Sequence, residues 1–165
     1  MMVTLTGFMG SGKTTVGKVL ADFLGCPFLD LDDLIVKKAG KSIPDIFAQD
    51  GEEAFRQLEA KILRQQVEKY AESTVVLALG GGAVLAPASA SLLHEKTVCI
   101  YLRATLDTLQ ARLEGETAGR PLADAAFAER LAARESIYEE TAHVTIDTDG
   151  LAPDEVADEI IISAL

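Results

Sequence analysis

The chain has 165 residues, 48% apolar and 25% charged, enough for one domain with its own core and too apolar for a disordered chain. Its 15 basic and 26 acidic residues give a formal charge of -11, a field that repels a phosphate backbone and argues against nucleic acid as a partner. No cleavable leader precedes Met2 and no apolar run approaches the roughly 20 residues that span a bilayer, so the expectation is a cytoplasmic protein with no membrane partner.

In chain order, Met2–Thr6 reads as a buried strand that runs straight into a glycine loop, and Lys13–Leu24 as a helix. A second strand, Pro27–Asp30, is followed by helices at Asp33–Ala39 and Glu52–Tyr70, the latter with Phe55, Leu58, Ile62 and Val67 as its buried stripe. Then come strand Thr74–Leu79, helix Ala86–His94, strand Thr97–Leu102 and helix Leu106–Leu113. Helix Asp124–Thr141, strand Val144–Asp147 and helix Pro153–Ala164 complete the chain; Pro153, Asp154 and Glu155 mark the last helix start. Strands alternating with helices predict an α/β fold, a parallel sheet flanked by helices, in a single domain over 1–165. The stretch Glu114-Gly115-Glu116-Thr117-Ala118-Gly119, ending in Arg120-Pro121-Leu122, reads as a surface loop or as a mobile lid over 113–124. Cys26 and Cys99 lack metal-ligand spacing and read as free thiols in a reducing compartment.

Gly7-Phe8-Met9-Gly10-Ser11-Gly12-Lys13-Thr14 carries the full spacing of a phosphate-binding P-loop. Its glycines let several backbone N–H groups turn toward one anion, and the helix that starts near Lys13 adds its positive end. Lys13 reaches the β- and γ-phosphates of a nucleotide, and the Thr14 hydroxyl suits Mg²⁺. The loop alone does not separate kinases from switch GTPases or motor ATPases.

Asp30-Leu31-Asp32-Asp33 follows the second strand. Alternation along an extended chain puts Asp30 and Asp32 on one side, at the sheet edge where ligands bind in open α/β folds. One carboxylate there suits the magnesium shell, and the other suits the attacking hydroxyl. The plainer alternative is an acidic helix start, with Asp32 as cap and Asp33 in the first turn. Gly80-Gly81-Gly82 ends the third strand and lets the backbone come close to a ligand. Arg56, Arg112, Arg120 and Arg134 each read singly as solvated residues, and Arg56 with Glu59 makes an ordinary i, i+3 pair. Together they suit a carboxylated acceptor and a transferring phosphoryl group.

The ordered set Gly7–Thr15, Asp30-Leu31-Asp32, Phe55-Arg56-Gln57-Leu58-Glu59, Gly80-Gly81-Gly82-Ala83-Val84, Arg120-Pro121-Leu122, Arg134 to Tyr138 and Ile146 to Pro153 closely resembles the shikimate kinase family over nearly the whole chain. The resemblance implies a three-layer P-loop NTPase fold with a five-stranded parallel sheet. It also implies transfer of the γ-phosphoryl of ATP to the 3-hydroxyl of shikimate, with Mg²⁺, in the route to chorismate. Carried over, Gly10, Ser11, Gly12, Lys13, Thr14 and Thr15 hold the ATP phosphates, Thr14 also holds Mg²⁺, and Asp30 assists through water. Asp32 binds the reacting hydroxyl and acts as base. Arg56 and Arg134 clamp the shikimate carboxylate, and Glu59, Gly80, Gly81 and Gly82 complete the pocket, which draws on the region 32–70. Arg120 swings in on the lid, and Arg112 flanks the adenine with the segment Asp147–Pro153. The family is commonly monomeric. It often has a proline two residues after the arginine matched by Arg134, where this chain has Ser136. The nearest rivals are a gluconate or nucleotide kinase of the same fold; a P-loop regulator lacks support because no guanine-reading Asn-Lys-x-Asp run is present.

Overall fold

The computed structural model of the protein describes residues 1–116 and 125–165. Five strands, β1 (Met2–Thr6), β2 (Phe28–Asp30), β3 (Val75–Ala78), β4 (Val98–Arg103) and β5 (Val144–Asp147), form one sheet in the order β2-β3-β1-β4-β5. Every neighbouring pair is parallel, so each crossover needs a helix. The helices are α1 (Lys13–Leu24), α2 (Leu31–Ala39), α3 (Ile43–Lys69), α4 (Pro87–Lys96), α5 (Leu106–Glu116), α6 (Ala125–Thr141) and α7 (Pro153–Ala164), with a 3₁₀ turn at Ala83–Leu85.

All of β1 is buried, and its pleat divides its side chains between two cores. Met2 joins Leu31, Ile35, Phe55 and Tyr138 on the face covered by α2 to α6. Val3 and Leu5 join Val16, Leu20, Val156 and Ile160 on the face covered by α1 and α7. These are the three layers expected, and they leave the carboxyl ends of β1, β2 and β3 opening onto one edge of the sheet.

Three local expectations change. Asp30 ends β2 and caps α2, accepting from the backbone N–H of Asp32 at 2.9 Å and of Asp33 at 3.4 Å, so the helix starts at Leu31 and Asp32 lies in its first turn. The cap is thus Asp30 rather than Asp32, and the two carboxylates do not share one face of an extended strand. A helical segment precedes the helix expected from Glu52: α3 starts at Ile43, with the Ser42 hydroxyl accepting from Asp45 N–H at 3.2 Å and Pro44 in its first turn. Gly51, at φ 88° and ψ 168°, breaks α3 and redirects it. In the second part of α3, Glu59 and Leu63 are buried while Leu58 is only partly so, which turns the stripe toward Gly80 at the end of β3. No helix among the described residues is long and apolar enough to cross a membrane. The lid expected over 113–124 falls largely, and Arg120 wholly, outside the described residues.

Candidate active site

β1 delivers the phosphate loop to the sheet edge, and Gly12, at φ 96°, makes the turn into α1 that a residue with a Cβ resists. Lys13 folds back over this loop: its ammonium donates to the carbonyls of Gly7 at 2.6 Å and Phe8 at 3.1 Å. Burial lowers its pKa to about 8, against the opposing pull of Asp32 and Asp30. The loop and Thr14 and Thr15 wall one side of a cleft of about 310 Å³, whose other side is Arg112, Thr148, Leu151, Pro153 and Val156.

Arg112 joins the two walls. Its guanidinium donates to the Thr148 hydroxyl and carbonyl, both at 3.1 Å, and to the carbonyls of Gly10 at 3.3 Å and Ser11 at 3.4 Å. The apolar part of the cleft, Leu151 and Pro153, suits an adenine ring beside it.

The Thr14 hydroxyl donates to Asp30 Oδ2 at 3.1 Å, next to the loop. A hydroxyl and a carboxylate are hard oxygen donors, and few protein ligands is how Mg²⁺ binds when nucleotide phosphates and water fill its remaining positions. The residues therefore fit a magnesium ion brought by a nucleotide. Among the described residues no group of three or more His, Cys, Asp or Glu side chains is placed to hold a metal alone.

Beyond the end of β3, Gly80, Gly81 and Gly82 lie against charged side chains from three other elements. A Cβ on Gly80 would stand 2.9 Å from Asp32 Oδ1 and 3.3 Å from Glu59 Oε2. One on Gly81 would stand 3.6 Å from Arg134 Nη1 and 3.7 Å from the Tyr138 hydroxyl, and one on Gly82 would run into the Arg56 guanidinium. Close approach of the protein's own side chains thus leaves no room for a Cβ at Gly80 and Gly82, while Gly81 would make only ordinary contacts. Arg56 donates to Glu59 Oε1 at 2.8 Å and packs its guanidinium 5.1 Å from the Phe55 ring centroid. This is the i, i+3 helix pair that the spacing allows, yet Glu59 is only 3% exposed and its Oε2 is buried with no partner among the described residues. A buried orphan acceptor of this kind calls for a polar group from outside the fold.

Burial raises the Asp32 pKa, reinforced by Asp30 and opposed by Lys13; burial also raises that of Glu59, opposed by the Arg56 hydrogen bond. A carboxylate poised above its usual range beside a phosphate loop is suited to take a proton. Arg134, on α6, stacks its guanidinium 5.7 Å from the ring centroid of Phe8, itself a loop residue. Ser136, two residues after Arg134, is exposed and leaves the helix on a different face. Phe8 and Tyr138 were legible only as members of matching segments; their roles here depend on which ring lies under which cation, and linear spacing carries no such information.

This strand order, with a phosphate loop and a cluster of charged side chains on one sheet edge, is the fold of the P-loop kinases. The family model described as shikimate kinase matches residues 9–164. The shikimate kinase of Enterococcus faecalis is 42% identical over 164 residues, covering 96% of this chain and 95% of that protein. That of Geobacter sulfurreducens is 45% identical over 163 residues, covering 96% of this chain and 87% of that protein. The structure of the Acinetobacter baumannii shikimate kinase in complex with shikimate superimposes with a TM-score of 0.85 at 34% identity, covering 97% of this chain and 90% of that one. The chain belongs to the shikimate kinase family, ATP-dependent kinases that phosphorylate shikimate.

Proposed function

We propose that the chain transfers the γ-phosphoryl of ATP to the 3-hydroxyl of shikimate, giving shikimate 3-phosphate and ADP. The observation that carries this reading is the convergence of Asp32, Glu59, Arg56 and Arg134 on three consecutive glycines, on the sheet edge that also holds the phosphate loop. Two guanidiniums grip a carboxylate in a planar, bidentate manner, while two carboxylates accept from ring hydroxyls. This donor and acceptor pattern is complementary to a small polyhydroxylated acid.

ATP lies with its phosphates on Gly10 to Thr15 and its adenine against Arg112 and the Thr148–Pro153 wall. Lys13 leaves the Gly7 and Phe8 carbonyls and turns to the β- and γ-phosphates. When bound with the nucleotide through Thr14 and, through water, Asp30, Mg²⁺ neutralises phosphate charge. Arg56 and Arg134 hold the shikimate carboxylate, and Glu59 and the glycine backbone fix its ring. Asp32 accepts the proton of the 3-hydroxyl as its oxygen attacks the γ-phosphorus in line and the bond to the ADP oxygen breaks. Most of the acceleration comes from positioning and charge stabilisation. Arg120 stabilises the transferring group from the segment expected as a lid. The working unit is one chain, in the cytoplasm.

The test is ADP release from Mg-ATP with shikimate, gluconate, a nucleoside monophosphate or no acceptor. Stimulation by shikimate alone is expected. Stimulation by another acceptor would overturn the pocket assignments, and turnover without any acceptor would overturn the kinase reading.

A further inference from the structure

We infer that Tyr138 is a positioning residue for the acceptor: its hydroxyl ties the glycine loop to α6 and so fixes where Arg134 meets the acceptor carboxylate. The inference rests on the proposed function, because it assigns a role within that same pocket.

Tyr138 is fully buried, and its hydroxyl donates to the Gly81 carbonyl at 2.5 Å. It lies four residues after Arg134 on α6, so both side chains leave the helix from one face. They meet at the same point: Arg134 Nη1 at 3.6 Å and the Tyr138 hydroxyl at 3.7 Å lie, with the Gly7 carbonyl also at 3.7 Å, around the position of a Cβ on Gly81. Packing alone does not call for the hydroxyl. The Tyr138 ring is backed by Tyr101 at a centroid distance of 5.0 Å, and a phenylalanine ring would fill that space. A buried hydroxyl needs a partner, and this one takes the carbonyl of the central glycine of a loop with little stiffness of its own. Burial raises the Tyr138 pKa, with Arg134 and Arg56 opposing, so the group stays a donor.

Arg134 is therefore held from two sides. The Phe8 ring lies under its guanidinium, and the Tyr138 to Gly81 bond sets the height of the loop across which it reaches. Without that bond the loop backbone gains the freedom of three glycines, and the arginine loses a fixed partner surface. The loss falls on acceptor binding and spares the phosphate loop.

The experiment is steady-state kinetics of Tyr138→Phe, alone and in an Arg134→Lys background, with Mg-ATP and shikimate. Alone, Tyr138→Phe is expected to raise the KM for shikimate about five- to tenfold, the worth of one buried hydrogen bond, with kcat and the KM for ATP within about twofold. In the Arg134→Lys background it adds less than about twofold, because the arginine through which it acts is gone. An unchanged shikimate KM, an equal effect in both backgrounds, or an equal rise in the KM for ATP would overturn the inference. Loss of the fold in Tyr138→Phe, read by thermal melting, would overturn it in favour of a core role. Wild-type protein that ignores shikimate would instead sink the function reading, which keeps the two failures apart.

Discussion

Lys13→Met tests the electrostatics of the phosphate loop. Burial brings the Lys13 pKa from 10.5 down to about 8, which disfavours its charged form by about 3.4 kcal/mol. Between those two values the unfolded chain binds more protons than the folded one, so stability rises with pH across that window. Integrated from pH 7 to pH 9.5, the rise from this residue is about 2 kcal/mol. The methionine variant lacks it. At neutral pH the variant also loses the hydrogen bonds to Gly7 and Phe8, about 1–3 kcal/mol in unsatisfied carbonyls, so its net stability stays close to wild type. The assay is urea unfolding at several pH values without nucleotide, taken as wild type minus variant so that the tyrosines and cysteines cancel. The difference should climb by about 2 kcal/mol, and saturating Mg-ATP should flatten it, because phosphate oxygens restore the charged ammonium. A flat difference without nucleotide would refute the reasoning. Phosphoryl transfer by the variant should fall by more than about a hundredfold.

Asp32→Asn should lower kcat by at least about a hundredfold with little change in the KM for ATP, as expected when a proton acceptor is lost. Because the folded Asp32 pKa lies above the ordinary 3.8, its stabilising contribution is present below that value and fades as pH rises through the raised one; the asparagine variant should show a flatter stability profile there, and parallel profiles would count against it. Gly82→Ala drives a Cβ into the Arg56 guanidinium and should raise the KM for shikimate by more than about tenfold, with nucleotide binding intact by calorimetry. Arg120→Ala should lower kcat by well over about tenfold at unchanged ATP affinity, and a turnover close to wild type would remove the role assigned to it.

The phosphate loop was legible because its chemistry is local: glycines, a lysine and a hydroxyl within eight consecutive residues build the site from backbone conformation alone. The strand and helix alternation was legible for the same reason, since period and punctuation are properties of neighbours in the chain. Asp30 shows where this ends. Its place after a strand marked it, but whether it points along the strand or folds back to cap α2 depends on where that helix begins, and packing of Leu31 and Ile35 into the core decides that. Helical pairing accounted for Arg56 and Glu59 as an exposed surface couple; only their burial under the glycine loop leaves Glu59 Oε2 without a partner and turns the pair into a pocket. Arg134 drew its significance from a family pattern, and its support joins it to Phe8, more than a hundred positions away, and through Tyr138 to the distant Gly81. The sequence by itself determined that the chain binds nucleotide phosphates, because that loop is written in contiguous residues. The cluster of Asp32, Arg56, Glu59 and Arg134 was decided by tertiary structure, because its charges come from α2, α3 and α6 and meet only where the parallel sheet brings the end of β3 beside the end of β1.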